Sequence, residues 1–414
     1  MSGLRHHAYP NGITRDDLLK WYRANRERTK ELFALVNDAA YYDRPIALRN
    51  PIVFYEGHFP AFSFNTLVKL AHKGESVDAR REELFARGID PEDEASVTNP
   101  TDLWPAREEV LRLAAEWDAR VEEALLHAPL EDDRVPQLRG GEAVLTILEH
   151  EQMHHETLLY MLHNLPYSQK AAGTPLTISR ASADKRMVRI PRGRATLGQV
   201  RGEAFGWDNE FPRHFVDVDA FEIDAHNVTN GDYLAFVEAT GASAPHFWMR
   251  ENGQWCYRGL LGATPLPLDA PVYVTHDEAT AYAKWKGMRL PTEAEFDRAA
   301  YGDEAQQEPL DASRGNFDFA HYDPVAIGSY EPNVFGVYDL IGNGWEWTST
   351  LFAGFDGFEP MPSYPVYSAD FFDGAHYVMK GASPVTAREL VRRSFRNWFR
   401  PNYPYVYATF RCVR

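Results

Sequence analysis

The chain has 414 residues, enough for two ordinary cores, and its 44% hydrophobic, 13% aromatic and 25% charged residues are the texture of a globular protein. Asp+Glu 60 against Lys+Arg 43 gives a formal net charge of -17, which works against nonspecific binding to nucleic acid or anionic lipid and points to a small-molecule substrate. Cys256 and Cys412, the only cysteines, make neither a disulfide framework nor a four-cysteine zinc site. No run approaches the roughly 18 apolar residues that cross a bilayer, and the N-terminus shows no apolar signal region, so a cytoplasmic protein with no membrane partner is expected.

In chain order, Thr14 and Asp17 form a capping-box-like start to a first helix reaching Val36, with Leu18, Trp21, Tyr22, Leu32 and Phe33 as its apolar positions. A second helix is expected from about Val53 to Ala71. Gly74 to Leu103 turns acidic and irregular, including Asp90 to Glu94, and reads as a long solvated connection. A third helix carries Val110, Leu113, Trp117, Val121 and Leu125 at helical spacing. A fourth opens after Gly140-Gly141 and ends near Asn164. Four such helices make a bundle, expected over residues 1–166, and the polar stretch 167–185 reads as a linker. From 186 to 414 the texture changes to short strands, such as Met187–Pro191 and His214–Val218, with brief helices starting at Thr229, Thr275 and Thr292 and long loops rich in aromatic residues, Gly, Pro and Asn. This half reads as α+β.

The fourth helix contains Glu149-His150-Glu151-Gln152-Met153-His154-His155-Glu156-Thr157. His150 and His154 are four residues apart and project from one side of the helix, which is metal-ligand spacing. The same residues satisfy H-E-x-x-H, so a zinc metallopeptidase with Glu151 as general base is one reading. Against it, the longer H-E-x-x-H-x-x-G-x-x-H pattern fails at Thr157 and Tyr160, and no third ligand follows before the linker. His155 and His163 fall off the ligand face and read as surface or outer-sphere residues. Glu151 and Glu156 read as either helix-surface charge or groups that orient the ligand imidazoles.

Arg289-Leu290-Pro291-Thr292-Glu293-Ala294-Glu295-Phe296, Gly342-Asn343-Gly344-Trp345-Glu346-Trp347-Thr348, Val378 to Ser383 and Phe410-Arg411-Cys412 resemble the motif series of formylglycine-generating-enzyme-like domains, a C-type-lectin-like fold. Joined to a DinB-like bundle with H-x-x-x-H-x-E-T, the whole chain resembles the sulfoxide synthases of ergothioneine and ovothiol formation and the related selenoneine synthases. The resemblance implies a non-haem Fe(II) held by His58, His150 and His154, with O2 as co-substrate. It implies C–S or C–Se bond formation at imidazole C2 of hercynine, the donor being a cysteine-type thiol or a selenosugar. Asn397 and Trp398 match the strip that holds the substrate betaine, and Trp398 can face its trimethylammonium group. Tyr364 or Tyr367 matches the catalytic tyrosine, with Tyr377 a third choice. Met153 stands where ergothioneine-type enzymes often have Gln, and Phe399 where some have Asp, which favours the selenoneine branch. Three other readings remain: an ovothiol-type synthase acting on histidine, a formylglycine-generating oxidase, for which Cys412 lacks a nearby partner, and a non-catalytic lectin-like binding protein.

Overall fold

Thr14 caps the first helix as its sequence pattern requires. The Asp17 amide donates to Thr14 Oγ1 at 3.2 Å and the Thr14 amide donates to Asp17 Oδ2 at 3.1 Å, so two otherwise orphaned donors are satisfied. The computed structural model describes residues 3–86, 103–173, 184–302 and 314–414. They divide into two compact units, one of residues 1–172 with 361–365 and the other of residues 173–360 with 366–414. Asp90 to Glu94 and most of the expected linker, residues 174–183, lie outside the described residues.

The first unit opens with a hairpin absent from the sequence reading, β1 (Leu4–His6) against β2 (Tyr9–Ile13). Helix α1 (Arg15–Phe33) buries Leu18, Trp21, Tyr22, Asn25, Thr29, Leu32 and Phe33, a single stripe at helical spacing. Helix α2 (Ile52–Ser63) is buried on every side, as its apolar sequence demands, and continues into a π-helical stretch from Phe64 to Ala71. After the short α3 (Ala79–Leu84), α4 (Arg107–His127) and α5 (Glu142–His163) complete the bundle, with α2 packed on α4 and α5, and α1 on α5 and α4.

Residues 74–86 are largely solvent-facing, as expected of a connection, but they are not irregular: α3 lies within them, and Glu82 and Phe85 turn inward. Glu82 is buried and accepts hydrogen bonds from Lys69 Nζ at 2.5 Å, Ser76 Oγ at 2.7 Å and the amides of Val77 and Asp78 at 2.7 and 2.9 Å. Burial pushes its carboxyl up, but these bonds outweigh burial and bring its pKa down to about 2. The segment is thereby closed into a compact turn that inserts Phe85 into the core. An acidic composition concealed a carboxylate that organises the backbone around it.

The second unit is α+β, as expected. Antiparallel pairs join β3 (Met187–Ile190) to β6 (Phe221–Asp224) and β4 (Gly193–Leu197) to β5 (His214–Val218). Helix α6 (Asn230–Thr240) and the ribbon β7 (Trp248–Glu251), β8 (Gln254–Arg258), β9 (Ala263–Pro265) follow. Then come α7 (His276–Trp285) and α8 (Glu293–Tyr301). Thr229, Thr275 and Thr292 cap these three helices, each with an acidic partner three residues on. The last four strands, β10 (Gly344–Leu351), β11 (Tyr377–Ala382), β12 (Asn397–Phe399) and β13 (Ala408–Thr409), make a sheet in the order β12-β11-β10-β13. Ile190, Ile223, Phe296, Val337 and Val413 meet in one core cluster.

Inside this unit the Glu346 carboxylate of β10 is paired with Arg411 through bonds of 2.5 and 2.7 Å, both side chains being 0% exposed. Arg411 also donates to the carbonyls of Asp224 and Tyr338. A buried pair contributes little net stability, but removing one member strands the other charge. Arg411→Met is therefore expected to destabilise the second unit by about 3–5 kcal/mol. Urea denaturation followed by near-ultraviolet circular dichroism would show this as a large fall in midpoint, and an unchanged midpoint would contradict the assignment.

Candidate metal centre

Helix α5 places three consecutive polar residues in the bundle, and at about 100° per residue they point three ways. Glu149 Oε1 is 2.6 Å from His6 Nε2 on the N-terminal hairpin, with both side chains 0% exposed. Glu151 faces α1, accepting from Thr29 Oγ1 at 2.6 Å and Arg26 Nε at 3.1 Å, and Arg26 in turn lies near Asp118. Burial pushes the Glu151 carboxyl up, but Arg26, His155 and Thr29 outweigh it and hold it below the usual range. His150, between them, turns towards α2.

There it meets His58 and His154. One nitrogen from each of the three rings lies within 4.8 Å of the others. The ring centroids of His58 are 5.0 Å from His150 and 4.8 Å from His154, and those of His150 and His154 are 4.5 Å apart. His58 Nδ1 is 2.7 Å from the Phe85 carbonyl, so Nδ1–H donates there and Nε2 carries the lone pair. That Nε2 stands 3.3 Å from His154 Nε2. Two imidazole nitrogens each about 2.1 Å from one divalent ion would be about 3.0–3.4 Å apart at right-angled to tetrahedral geometry, so the spacing fits a shared metal.

Burial acts on all three rings in one direction. It pushes His58 down to about 4, with the Phe85 carbonyl opposing it. His150 and His154 are also driven well below the usual value, first by burial and then by neighbouring positive charge, that of His154 and His58 on His150 and that of His58 and Arg49 on His154. Neutral imidazole is the ligating form, so the site carries its lone pairs ready at neutral pH. Nδ1 of His154 is buried without a hydrogen-bond partner among the described residues.

The structure corrects several expectations about neighbouring residues. His155 is neither surface nor part of the ligand group, since its Nε2 is buried 2.9 Å from Thr29 Oγ1 and 3.4 Å from Glu151 Oε1. His163 and Glu156 are buried as well. The zinc-peptidase reading needs Glu151 beside the metal, yet its carboxylate is engaged by Arg26 and Thr29 on α1. Met153, between His150 and His154 in sequence, is half-buried.

Of the tyrosines, Tyr364 belongs to the first unit, its ring 6.0 Å from His150 and 5.1 Å from Phe62. Tyr367 belongs to the second, where it packs on Trp207 at 4.0 Å and edge-on to Trp398 at 5.3 Å. Tyr377 stacks on His276 at 3.7 Å. On β12, Trp398 lies flat on Phe352 at 4.1 Å, and Asn397 Oδ1 accepts from the Trp398 amide at 2.9 Å, leaving its amide nitrogen as a donor. Phe399 stacks on Tyr403.

Two contributors escaped the sequence reading. Phe62 stacks on His150 at 3.5 Å and lies four residues after His58, a spacing that could have flagged it. The Phe85 carbonyl has no sequence signal, because a backbone group carries none.

Gly57 makes this support testable. A Cβ there would meet the Phe85 ring at 2.5 Å, and that ring is fully buried. Gly57→Ala is expected to displace Phe85, withdraw its carbonyl from His58 and weaken metal affinity about 10–100-fold, read by competition with a chelator. The histidines give a pH prediction for the metal-free protein. Their folded pKa values lie below the unfolded value near 6.5, so the unfolded chain takes up protons first and stability falls as pH drops from about 6.5 towards 4. Hydrogen exchange of peptides from α2 and α5 is expected to accelerate across that window relative to the intrinsic rate, and exchange that does not respond would contradict the burial of neutral rings.

Residues 22–158 match the DinB superfamily and residues 175–414 match the sulfatase-modifying factor enzyme 1-like domain family. The chain is 29% identical to ergothioneine biosynthesis protein 1 of Neurospora crassa, a match covering 90% of this chain and 54% of that protein. It is 33% identical to hercynine oxygenase of Mycolicibacterium thermoresistibile over 67% of this chain and 69% of the relative. Among solved structures, PvdO from Pseudomonas aeruginosa aligns with 24% identity and a TM-score of 0.45, covering 59% of this chain and 99% of that one. The chain spans about half the length of the fungal relatives it matches, at 54%. With a DinB-type domain followed by a sulfatase-modifying-factor-like domain, and a hercynine oxygenase aligned over two thirds of both chains, the protein belongs to the ergothioneine and ovothiol sulfoxide synthase family.

Proposed function

We propose that this protein is an oxygen-dependent iron enzyme that joins sulfur or selenium to C2 of the imidazole ring of hercynine. The observation that carries the reading is the group of three neutral imidazoles, those of His58 and His150 buried and that of His154 half-buried, with Tyr364 beside one of them. His58, His150 and His154 would hold the ion. The donor set is all nitrogen, with no carboxylate or thiolate to spend the metal's charge, and imidazole suits ferrous iron. Bound iron supplies the activation of O2 and a meeting point for the chalcogen donor.

The balance for a thiol donor is one hercynine C2–H, one RSH and one O2 giving the C2–S(O)–R sulfoxide and one water. O2 accepts four electrons, two as the C–S bond forms and two as sulfur is oxidised. A selenol donor follows the same balance up to the selenoxide. The chain's own work is to orient and to manage protons. The Phe85 carbonyl fixes the tautomer of His58. Tyr364 is assigned as the catalytic phenol, holding or delivering a proton at Oη, because its ring adjoins His150 while Tyr367 is packed between Trp207 and Trp398. We assign the betaine end of hercynine to Asn397, as donor to the carboxylate, and to Trp398, as an aromatic partner for the trimethylammonium group.

For the donor, Phe399 offers an apolar ring stacked on Tyr403 where an anionic γ-glutamyl group would need a polar partner. Met153 offers a thioether where a carboxamide would hydrogen-bond. Both favour a neutral selenosugar. The test is anaerobic reconstitution with Fe(II), then O2 with hercynine and each donor, read by mass spectrometry. An O2-dependent hercynine adduct is expected, more with the selenosugar than with γ-glutamylcysteine, and less with histidine in place of hercynine. Tyr364→Phe is expected to consume O2 while losing about 10²-fold or more of adduct formation, in the range of a lost proton-transfer group. No O2-dependent adduct with any donor would overturn the proposal.

A further inference from the structure

Tyr364 sits on a segment, residues 361–365, with little backbone of its own to hold it. Pro362 and Pro365 have no N–H to give, and the Tyr364 amide is used internally, donating to the Met361 carbonyl at 3.2 Å. The Ser363 amide donates instead to Glu142 Oε1 at 2.8 Å, and the Ser363 hydroxyl donates to the Gln137 carbonyl at 3.4 Å. Ser363 and Met361 are buried, at 4% and 3% exposure, while Tyr364 is half-buried. All of these residues belong to the first unit.

Glu142 is well placed to be an anchor. It is the first residue of α5, where a negative charge complements the helix N-terminus. The start of that helix is fixed from outside. Gly141 is left-handed at φ +74, and a Cβ there would meet the Leu4 side chain at 2.5 Å, so the N-terminal hairpin is packed directly against it. The same helix carries His150, eight residues or about 12 Å further along. The anchor of the tyrosine segment and the ring that Tyr364 adjoins are therefore two points on one rigid element.

We propose that Glu142 is a positioning residue: by accepting the Ser363 amide it holds the 361–365 segment so that the Tyr364 phenol stays against His150 and Phe62. The inference rests on Tyr364 being the catalytic phenol, and the test separates the two claims. Neither Glu142 nor Ser363 offers the metal a ligand, and Gln at position 142 keeps an acceptor oxygen while removing the charge.

The experiment uses the full chain with Fe(II) and compares Glu142→Ala, Glu142→Gln, Tyr364→Phe and the double variant Glu142→Ala/Tyr364→Phe. Glu142→Ala is expected to raise amide exchange in the peptide containing residues 361–365 by about tenfold, the scale of one lost hydrogen bond to a charged acceptor, with iron content unchanged. Glu142→Gln is expected to keep most of the protection, which also guards against a helix that fails to fold in the alanine variant. In turnover, Glu142→Ala is expected to lower adduct formed per O2 consumed towards the Tyr364→Phe value, and the double variant to be no worse than Tyr364→Phe alone. Unchanged exchange in Glu142→Ala, or losses that multiply in the double variant, would overturn the positioning role. If the unaltered protein forms no adduct, the proposed function fails while the exchange comparison still decides whether Glu142 holds the segment.

Discussion

Everything at the candidate centre depends on keeping three imidazoles neutral and close together inside a helical bundle. A buried histidine must dispose of two ring nitrogens, and His58 does so by giving its Nδ1 proton to the Phe85 carbonyl. That single bond selects the tautomer, turns Nε2 towards His154 and ties the ring to a segment far from it in sequence. The segment in turn exists as ordered backbone because Glu82 gathers four donors around one carboxylate. A metal site of this kind is therefore held by a chain of contacts outside its ligands, and the ligands alone are half of the account.

Helix α5 shows how one element can serve a site and the fold together. Glu149 and Glu151 flank His150, and each is turned to a different neighbour: the hairpin through His6, and α1 through Arg26 and Thr29. Both carboxylates are fully buried, so each needs its partner, and each partner fixes the rotation of the helix about its axis. The rotation leaves His150 and His154 facing α2. What reads in one dimension as a peptidase motif is, in three, a pair of histidines facing α2, with His150 flanked by two carboxylates that are turned to other neighbours. The difference lies entirely in where Glu151 points.

The sequence carried much of this. The capping boxes at Thr14, Thr229, Thr275 and Thr292 marked four helix starts, because a side chain three residues on must complete them. The apolar stripes of α1 and α4, and the spacing of His150 and His154, were legible for the same reason of short-range periodicity. The N-terminal hairpin was not, since its three- and five-residue strands carry no repeating pattern. Nor was the fate of residues 74–86, where the composition pointed to an irregular connection and the structure closes on Glu82. His155 illustrates the same limit: one residue off the ligand face proved to mean another buried contact, because α5 is enclosed on nearly all sides. His58 was reached through family resemblance, as nothing local in its helix distinguishes a ligand from a core histidine.

The central claim is that His58, His150 and His154 together hold iron. X-ray absorption of the protein loaded anaerobically with Fe(II) tests it most directly, because imidazole rings give a distinctive outer-shell scattering pattern. The account predicts a nitrogen and oxygen first shell with scattering from three imidazoles, reduced in His58→Ala, a ligand remote in sequence from the other two. A spectrum with no imidazole scattering, or one unaltered in His58→Ala, would contradict it.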